Sequence, residues 1–449
     1  MASLLDNIAK PSAVVLQLSL VLGFIFVLLK VAQLYQERKK IIKALEAFPG
    51  PPRHWLYGHN HLVRRELGSP RAHSYSFGIF FFLFLFFTDP KSPVTYKLLI
   101  PWIGKGLLTL NGAKWFQHRK LLTPAFHYDV LKPYVTLMSD SVKVMLDKWE
   151  KRNTQRKTME IFQDMSLMTL DTIMKCAFSY DTNCQTQNHA DFYIKAVYDL
   201  TYLVVQRIRT LSLSDVFYGM TRKGHQFQEA CKLAHTHTDK VIKERKLLLC
   251  NEKEREKILK KRHLDFLDIL LCAKDEKGVG LSDEDLRAEV DTFMFGGHDT
   301  TASGISWLFY CMSLHPEHQQ RCREEIQEIL GERDTIEWED LGKMTYTTMC
   351  IKESLRLFPP VPAVSRQLAK PITFSDGRSL PAGLFSLNRD VWEDPEIYDP
   401  MRFSPENSAQ RHSHAFLPFS AGSRWEIFHS LSPPSQVASH GRVNSQQCF

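Results

Sequence analysis

From Ser12 to Leu29 the chain runs for 18 residues without a charged side chain (SAVVLQLSLVLGFIFVLL). At 1.5 Å per residue a helix over this run is about 27 Å long, close to the thickness of a bilayer's hydrocarbon core. The N-terminus is thereby restricted to a membrane-spanning helix or a cleaved signal, and no small-residue cleavage site follows the run, which favours the anchor. Lys30, Arg38, Lys39, Lys40 and Lys43 come after it and only Lys10 before it, so positive-inside bias puts the bulk of the chain in the cytosol. Phe48-Pro49-Gly50-Pro51-Pro52 then cannot continue a helix, because proline lacks an N–H and restricts the residue before it. The expectation is a single-pass anchor with its basic flank over residues 1–47, and a stiff hinge into a large domain.

With 449 residues, 44% hydrophobic and 24% charged, the chain has enough apolar material for a large core. The net charge of +7 is spread over interspersed acids and bases, which is no nucleic-acid footprint. Nine cysteines are too sparse for a disulfide scaffold, and the closest pair, Cys176 and Cys184, lacks the spacing of a local zinc clip, so free thiols are expected. Phe77 to Phe87 places seven phenylalanines in eleven residues. It is too short to span as a helix and has no period of 2 or 3.6; it reads as a membrane-dipping element, a buried strand or a segment foreign to the fold.

Downstream the pattern is mostly helical. Lys240 to His263 is dense in charge and reads as a solvated helix or linker. Ser282-Asp283-Glu284-Asp285 resembles a capping box opening a long helix to about His315, where Pro316 stops it and starts the next. That next helix, Pro316 to Leu330, is amphipathic and ends at Gly331; another, near Thr345 to Phe358, is closed by Pro359-Pro360.

The chain has no GxxxxGK[ST], HExxH, GxSxG or complete GxGxxG, which removes the commonest NTPase, metalloprotease, hydrolase and dinucleotide signals. The long helix carries Phe295-Gly296-Gly297-His298-Asp299-Thr300-Thr301 at its middle, where each glycine costs about 1 kcal/mol relative to alanine. Compensation could come from close approach of a bulky ligand, from a hydroxyl that opens the hydrogen-bond ladder to a water, or from simple helix packing. Glu353 and Arg356 share a helical face at i, i+3, and Trp115 and Arg119 lie at i, i+4; each pair alone is ordinary.

Taken in order, Trp115-x-x-x-Arg119, Gly297-His298-Asp299-Thr300-Thr301, Glu353-x-x-Arg356, Arg402-Phe403 and Phe419-x-x-Gly422-x-Arg424 resemble the signatures of the cytochrome P450 family. The wording of the segments (KWFQHRKLLTPAFH, GHDTTASGISW, LGKMTYTTMCIKESLRLFPPVP) is similar to the microsomal fatty-acid ω-hydroxylase branch. The resemblance implies the mainly α (α+β) cytochrome P450 fold behind an N-terminal transmembrane helix, at the endoplasmic reticulum. It also implies a haem cofactor, electrons from NADPH through a flavoprotein reductase, and hydroxylation of fatty acids or other lipophilic small molecules with dioxygen. Residue by residue, Trp115, Arg119, Arg366 and Arg424 match positions that meet the haem propionates, for which guanidinium forks suit carboxylates. Asp299 and Thr300 match the acid–alcohol pair that relays protons, and Glu353, Arg356 and Arg402 match a buried structural triad.

The chain departs from the family at the haem ligand. Where the family reads FxxGxRxCxG, this sequence runs Phe419-Ser420-Ala421-Gly422-Ser423-Arg424-Trp425-Glu426-Ile427-Phe428, with Glu426 at the cysteine position and Phe428 at the glycine. A carboxylate is a harder donor than thiolate and lacks its electronic push onto iron. No metal ligand is therefore assigned, and Cys448, 22 residues late, is not expected to replace it. Residues 425–449 are polar and Ser-rich and read as an unrelated, disordered or frame-shifted tail. The family-like domain is expected over 48–424, incomplete, with interruptions near 66–90 and 384–390. Gly296 stands where many members of the branch carry a glutamate esterified to haem, so covalent attachment is not expected. Two readings follow: an active monooxygenase, or a non-catalytic isoform, pseudogene product or faulty gene model unable to ligate haem iron, which this sequence favours.

Overall fold

A computed structural model describes residues 2–45 and 90–419, apart from 154–159, 187–190, 210–214, 261–263, 275–277, 381–391 and several shorter breaks between 362 and 414. The Phe77–Phe87 run, the proline hinge, residues 384–390 and the segment from Ser420 onward, with Arg424, Glu426 and Cys448, lie outside the described residues.

The N-terminal run is helical, within a single helix α1 (Ala2–Leu45). Its apolar window Gln17–Glu37 has mean hydropathy 2.1 and is not buried against the other described residues. An apolar helix left uncovered in this way is long enough to cross a membrane.

The rest of the described chain is mainly helical: α2 (Gly112–Leu122), α3 (Tyr134–Asn153), α4 (Phe162–Phe178), α5 (Asp191–Arg209), α6 (Arg222–Cys250), α7 (Phe266–Cys272), α8 (Asp283–Leu314), α9 (Pro316–Leu330) and α10 (Thr345–Leu357), with helices of four to eight residues between them. The described strands are a two-residue pair, β1 (Ile372–Thr373) antiparallel to β2 (Ser379–Leu380). Local chemistry sets the helix ends. Ser282 Oγ accepts the Asp285 N–H at 3.1 Å to open α8, and His315 both closes α8 and precedes Pro316 at the first position of α9. Gly331 ends α9 at φ 59°, a left-handed conformation that favours glycine.

α8 is the central rod. α4 packs along it, and its flanks meet α6, α7 and α10. The main core gathers Trp102, Leu170, Met174, Phe178, Tyr193, Leu200, Leu267, Val290 and Met294 around it, all but excluded from water. The charge-dense stretch after Lys240 is helical up to Cys250 and again over Glu252–Leu259, but it is not wholly solvated. Arg245 is buried and donates to Asp268 at 2.7 and 2.5 Å and to Asp265 at 3.2 Å, which ties α6 to α7. All eight described cysteines are free.

Candidate functional site

α8 passes through Phe295–Thr301 without interruption. A Cβ built on Gly297 would lie 2.7 Å from Ile173 Cγ1 and 2.8 Å from its Cδ1, so this glycine lets α8 approach α4 more closely than any side chain would allow. Thr169 of α4 completes the contact by donating its hydroxyl to the His298 carbonyl at 3.0 Å. Of the possible compensations for a mid-helix glycine, helix packing is the one the structure shows at Gly297. The Thr300 hydroxyl turns back on its own helix and donates to the Gly296 carbonyl at 2.8 Å, the i−4 back-bond open to a mid-helix threonine.

Two titratable groups flank this turn. Burial pushes the Asp299 carboxyl up to about 6, because a charge taken out of water without a partner is disfavoured. Burial lowers His298 to about 4, so it is neutral at pH 7, with Nδ1 donating to the Met294 carbonyl at 2.9 Å. Tyr193 of α5 lies close enough to feel the Asp299 charge, and its ring sits 5.6 Å from that of His298. The middle of α8 therefore offers a half-buried acid that exchanges protons near neutral pH, next to a hydroxyl already hydrogen-bonded to backbone.

Trp115 and Arg119 lie on α2, the indole buried and the guanidinium half-buried. Arg366 is buried and forms a β-bridge with Lys91; the Lys91 N–H donates to Asn111 Oδ1 at 2.9 Å, and Asn111 immediately precedes α2. These bonds bring the segments carrying Trp115, Arg119 and Arg366 into one neighbourhood. An indole N–H and two guanidinium groups are donors only, the chemistry an anionic carboxylate requires.

The sequence did not single out what holds α2 in place. His118, between Trp115 and Arg119, donates from Nδ1 to Glu289 Oε1 of α8 at 2.6 Å, with the two side chains 2% and 0% exposed. The Leu107 N–H takes the other Glu289 oxygen at 3.1 Å. A signal was available: Glu289 interrupts the apolar face Leu286, Val290, Phe293, and an acid there needs a buried partner.

Glu353, Arg356 and Arg402 meet. Arg356 donates Nε and Nη2 to the two Glu353 oxygens at 2.7 and 2.8 Å, and Arg402 Nε lies 3.5 Å from Glu353 Oε1. The Asp399 N–H adds a bond to Glu353 at 2.9 Å. Arg356 also donates to the Pro395 and Ile397 carbonyls, and Arg402 to that of Asp394. The cluster fastens the irregular segment 394–403 onto α10.

The pattern described as Cytochrome P450 matches residues 79–425. The chain is 53% identical over 429 residues to Cytochrome P450 4B1 of Rattus norvegicus, an overlap of 89% of this chain and 84% of that protein. It is 52% identical over 441 residues to Cytochrome P450 4A11 of Homo sapiens, covering 91% and 84%. It is also 53% identical over 439 residues to Taurochenodeoxycholic 6 alpha-hydroxylase of Sus scrofa, covering 91% and 87%.

Proposed function

The chain belongs to the cytochrome P450 family, and on that premise we propose that it carries the frame of a membrane-anchored haem monooxygenase of the fatty-acid ω-hydroxylase branch without the ligand that would make it one. The observation that carries this reading is Glu426, which stands at the cysteine position of FxxGxRxCxG.

The donors for the cofactor's carboxylates fit: Trp115, Arg119 and Arg366, with Arg424 assigned by motif, would hold haem propionates. The iron ligand does not fit. A hard carboxylate in place of thiolate cannot supply the electron density that dioxygen activation requires. The frame still suits its family role up to that point: Asp299, poised to exchange a proton near pH 6, and Thr300 sit where a proton relay would run, while Glu353, Arg356 and Arg402 brace the domain. The anchor and its basic flank support an endoplasmic-reticulum location with the domain in the cytosol. An NADPH-dependent flavoprotein reductase and lipophilic substrates, fatty acids or a steroid acid of the kind named in the Sus scrofa relative, are the partners this frame would take.

A second reading, active hydroxylation, is favoured by the uninterrupted α8 with Asp299 and Thr300. The reduced carbon-monoxide difference spectrum of membranes holding the full chain separates the two. We expect no thiolate-type Soret band and no NADPH-dependent hydroxylation; a thiolate-type band from the unaltered chain would refute the proposal.

A further inference from the structure

At the elbow between α8 and α9, three side chains with metal-binding atoms face one another on a stretch of four residues. One ligand atom from each of His315, Glu317 and His318 lies within 4.8 Å of the others. His315 Nδ1 is 3.5 Å from Glu317 Oε1, and His318 Nε2 is 3.8 Å from the same oxygen. A tetrahedral zinc ion bound at about 2.0–2.1 Å spaces its donors roughly 3.3 Å apart, so small rotations of the side chains complete the set.

We propose that His315, Glu317 and His318 form a zinc site outside the P450 catalytic machinery. The arrangement around the imidazoles supports it independently of their spacing. His318 Nδ1 lies 2.6 Å from Tyr346 Oη of α10; with Nδ1–H donating there, the Nε2 lone pair is left for the metal. This outer hydrogen bond is the device that fixes the tautomer of metal-bound histidines. The His315 ring stacks on Tyr398 at 4.8 Å and 16°, which sets its plane. His315 cannot drift from the other two ligands, because it is fixed as the joint residue between α8 and Pro316. Arg321, one turn along α9, is occupied over the face of Tyr346 at 4.0 Å rather than directed at the site. Two imidazoles and a carboxylate suit zinc, and with three protein ligands and a Glu317 side chain 64% exposed the fourth position falls to water.

The test titrates zinc alone into chelator-stripped full chain in detergent, read by competition with a chromophoric chelator and by metal content after desalting. In a Cys250→Ser, Cys272→Ser, Cys448→Ser background, which removes the two exposed thiols among the described residues and the cysteine outside them, one zinc per chain is expected, with a raised unfolding midpoint as zinc is added. Glu317→Gln changes an exposed side chain and leaves folding intact, and it should weaken binding tenfold or more. Tyr346→Phe keeps the packing and removes only the outer hydrogen bond; it should weaken binding about tenfold. Stoichiometric zinc that survives both Glu317→Gln and His315→Ala unchanged, or a background protein that takes up no zinc, would overturn the assignment.

Discussion

Gly297→Ala tests the claim that the centre of α8 is held by contact with α4. Taken alone, alanine in a helix interior is worth about 1 kcal/mol over glycine. Against that stands a Cβ at 2.7 Å from Ile173 Cγ1 and 2.8 Å from Cδ1, well inside van der Waals contact. Ile173 cannot simply swing away, because a β-branched side chain in a helix has one strongly preferred rotamer. Overpacking of this kind costs about 1–3 kcal/mol, so the single variant should be destabilised by up to about 2 kcal/mol. Ile173→Ala alone opens a cavity in α4 and should cost about 2–5 kcal/mol. Combined, the new Cβ enters the space that Ile173 vacated, the clash disappears and the helix-propensity gain returns. The cycle should therefore show a favourable coupling of about 2 kcal/mol, within the range seen for residues in contact. Urea unfolding of the four proteins in detergent, followed by circular dichroism, measures it. Additivity to within about 0.5 kcal/mol would refute the reasoning, because it would mean that Gly297 and Ile173 do not touch.

Further outcomes follow from three acids of differing burial. Asp299 has its pKa raised by burial from 3.8 to about 6, so its ionised form opposes folding; that cost is absent below about pH 4, grows as pH rises to about 6 and is constant above. At about 1.4 kcal/mol per pKa unit, Asp299→Asn should stabilise the fold by up to about 3 kcal/mol at pH 7.5 and leave it unchanged at pH 4; equal effects at the two pH values would count against burial as the cause. Glu353 is wholly buried among Arg356, Arg402 and the Asp399 N–H, so Glu353→Gln should cost about 3–5 kcal/mol in the same unfolding assay. Asp285→Asn, which breaks a more exposed pair with Lys114, should cost a small fraction of that.

The sequence by itself determined what depends on neighbouring residues. Ser282 and Asp285 mark the start of α8, Pro316 and Gly331 bound α9, and the uncharged run to Leu29 lies in a helix whose apolar window is left exposed by the described residues. Each of these follows from a cap, a missing N–H, a left-handed turn or a length of apolar chain, all legible within a few positions. The resemblance to the family likewise singled out Glu353, Arg356 and Arg402, and the structure pairs both arginines with Glu353. Tertiary structure alone decided what lies between distant segments. His118 and Glu289 are 171 residues apart and become the buried pair that fixes α2 against α8. The same folding turns the glycine at 297 into a seat for Ile173 and draws Arg245 out of a charge-dense stretch into a buried cluster with Asp265 and Asp268. The elbow histidines show the same division: their spacing is local, but the Tyr346 and Tyr398 contacts that orient them arise only when α10 and the segment after it pack against α9. The physical reason is that burial and partner choice are properties of the packed core, and no local pattern fixes which side of a helix meets which neighbour.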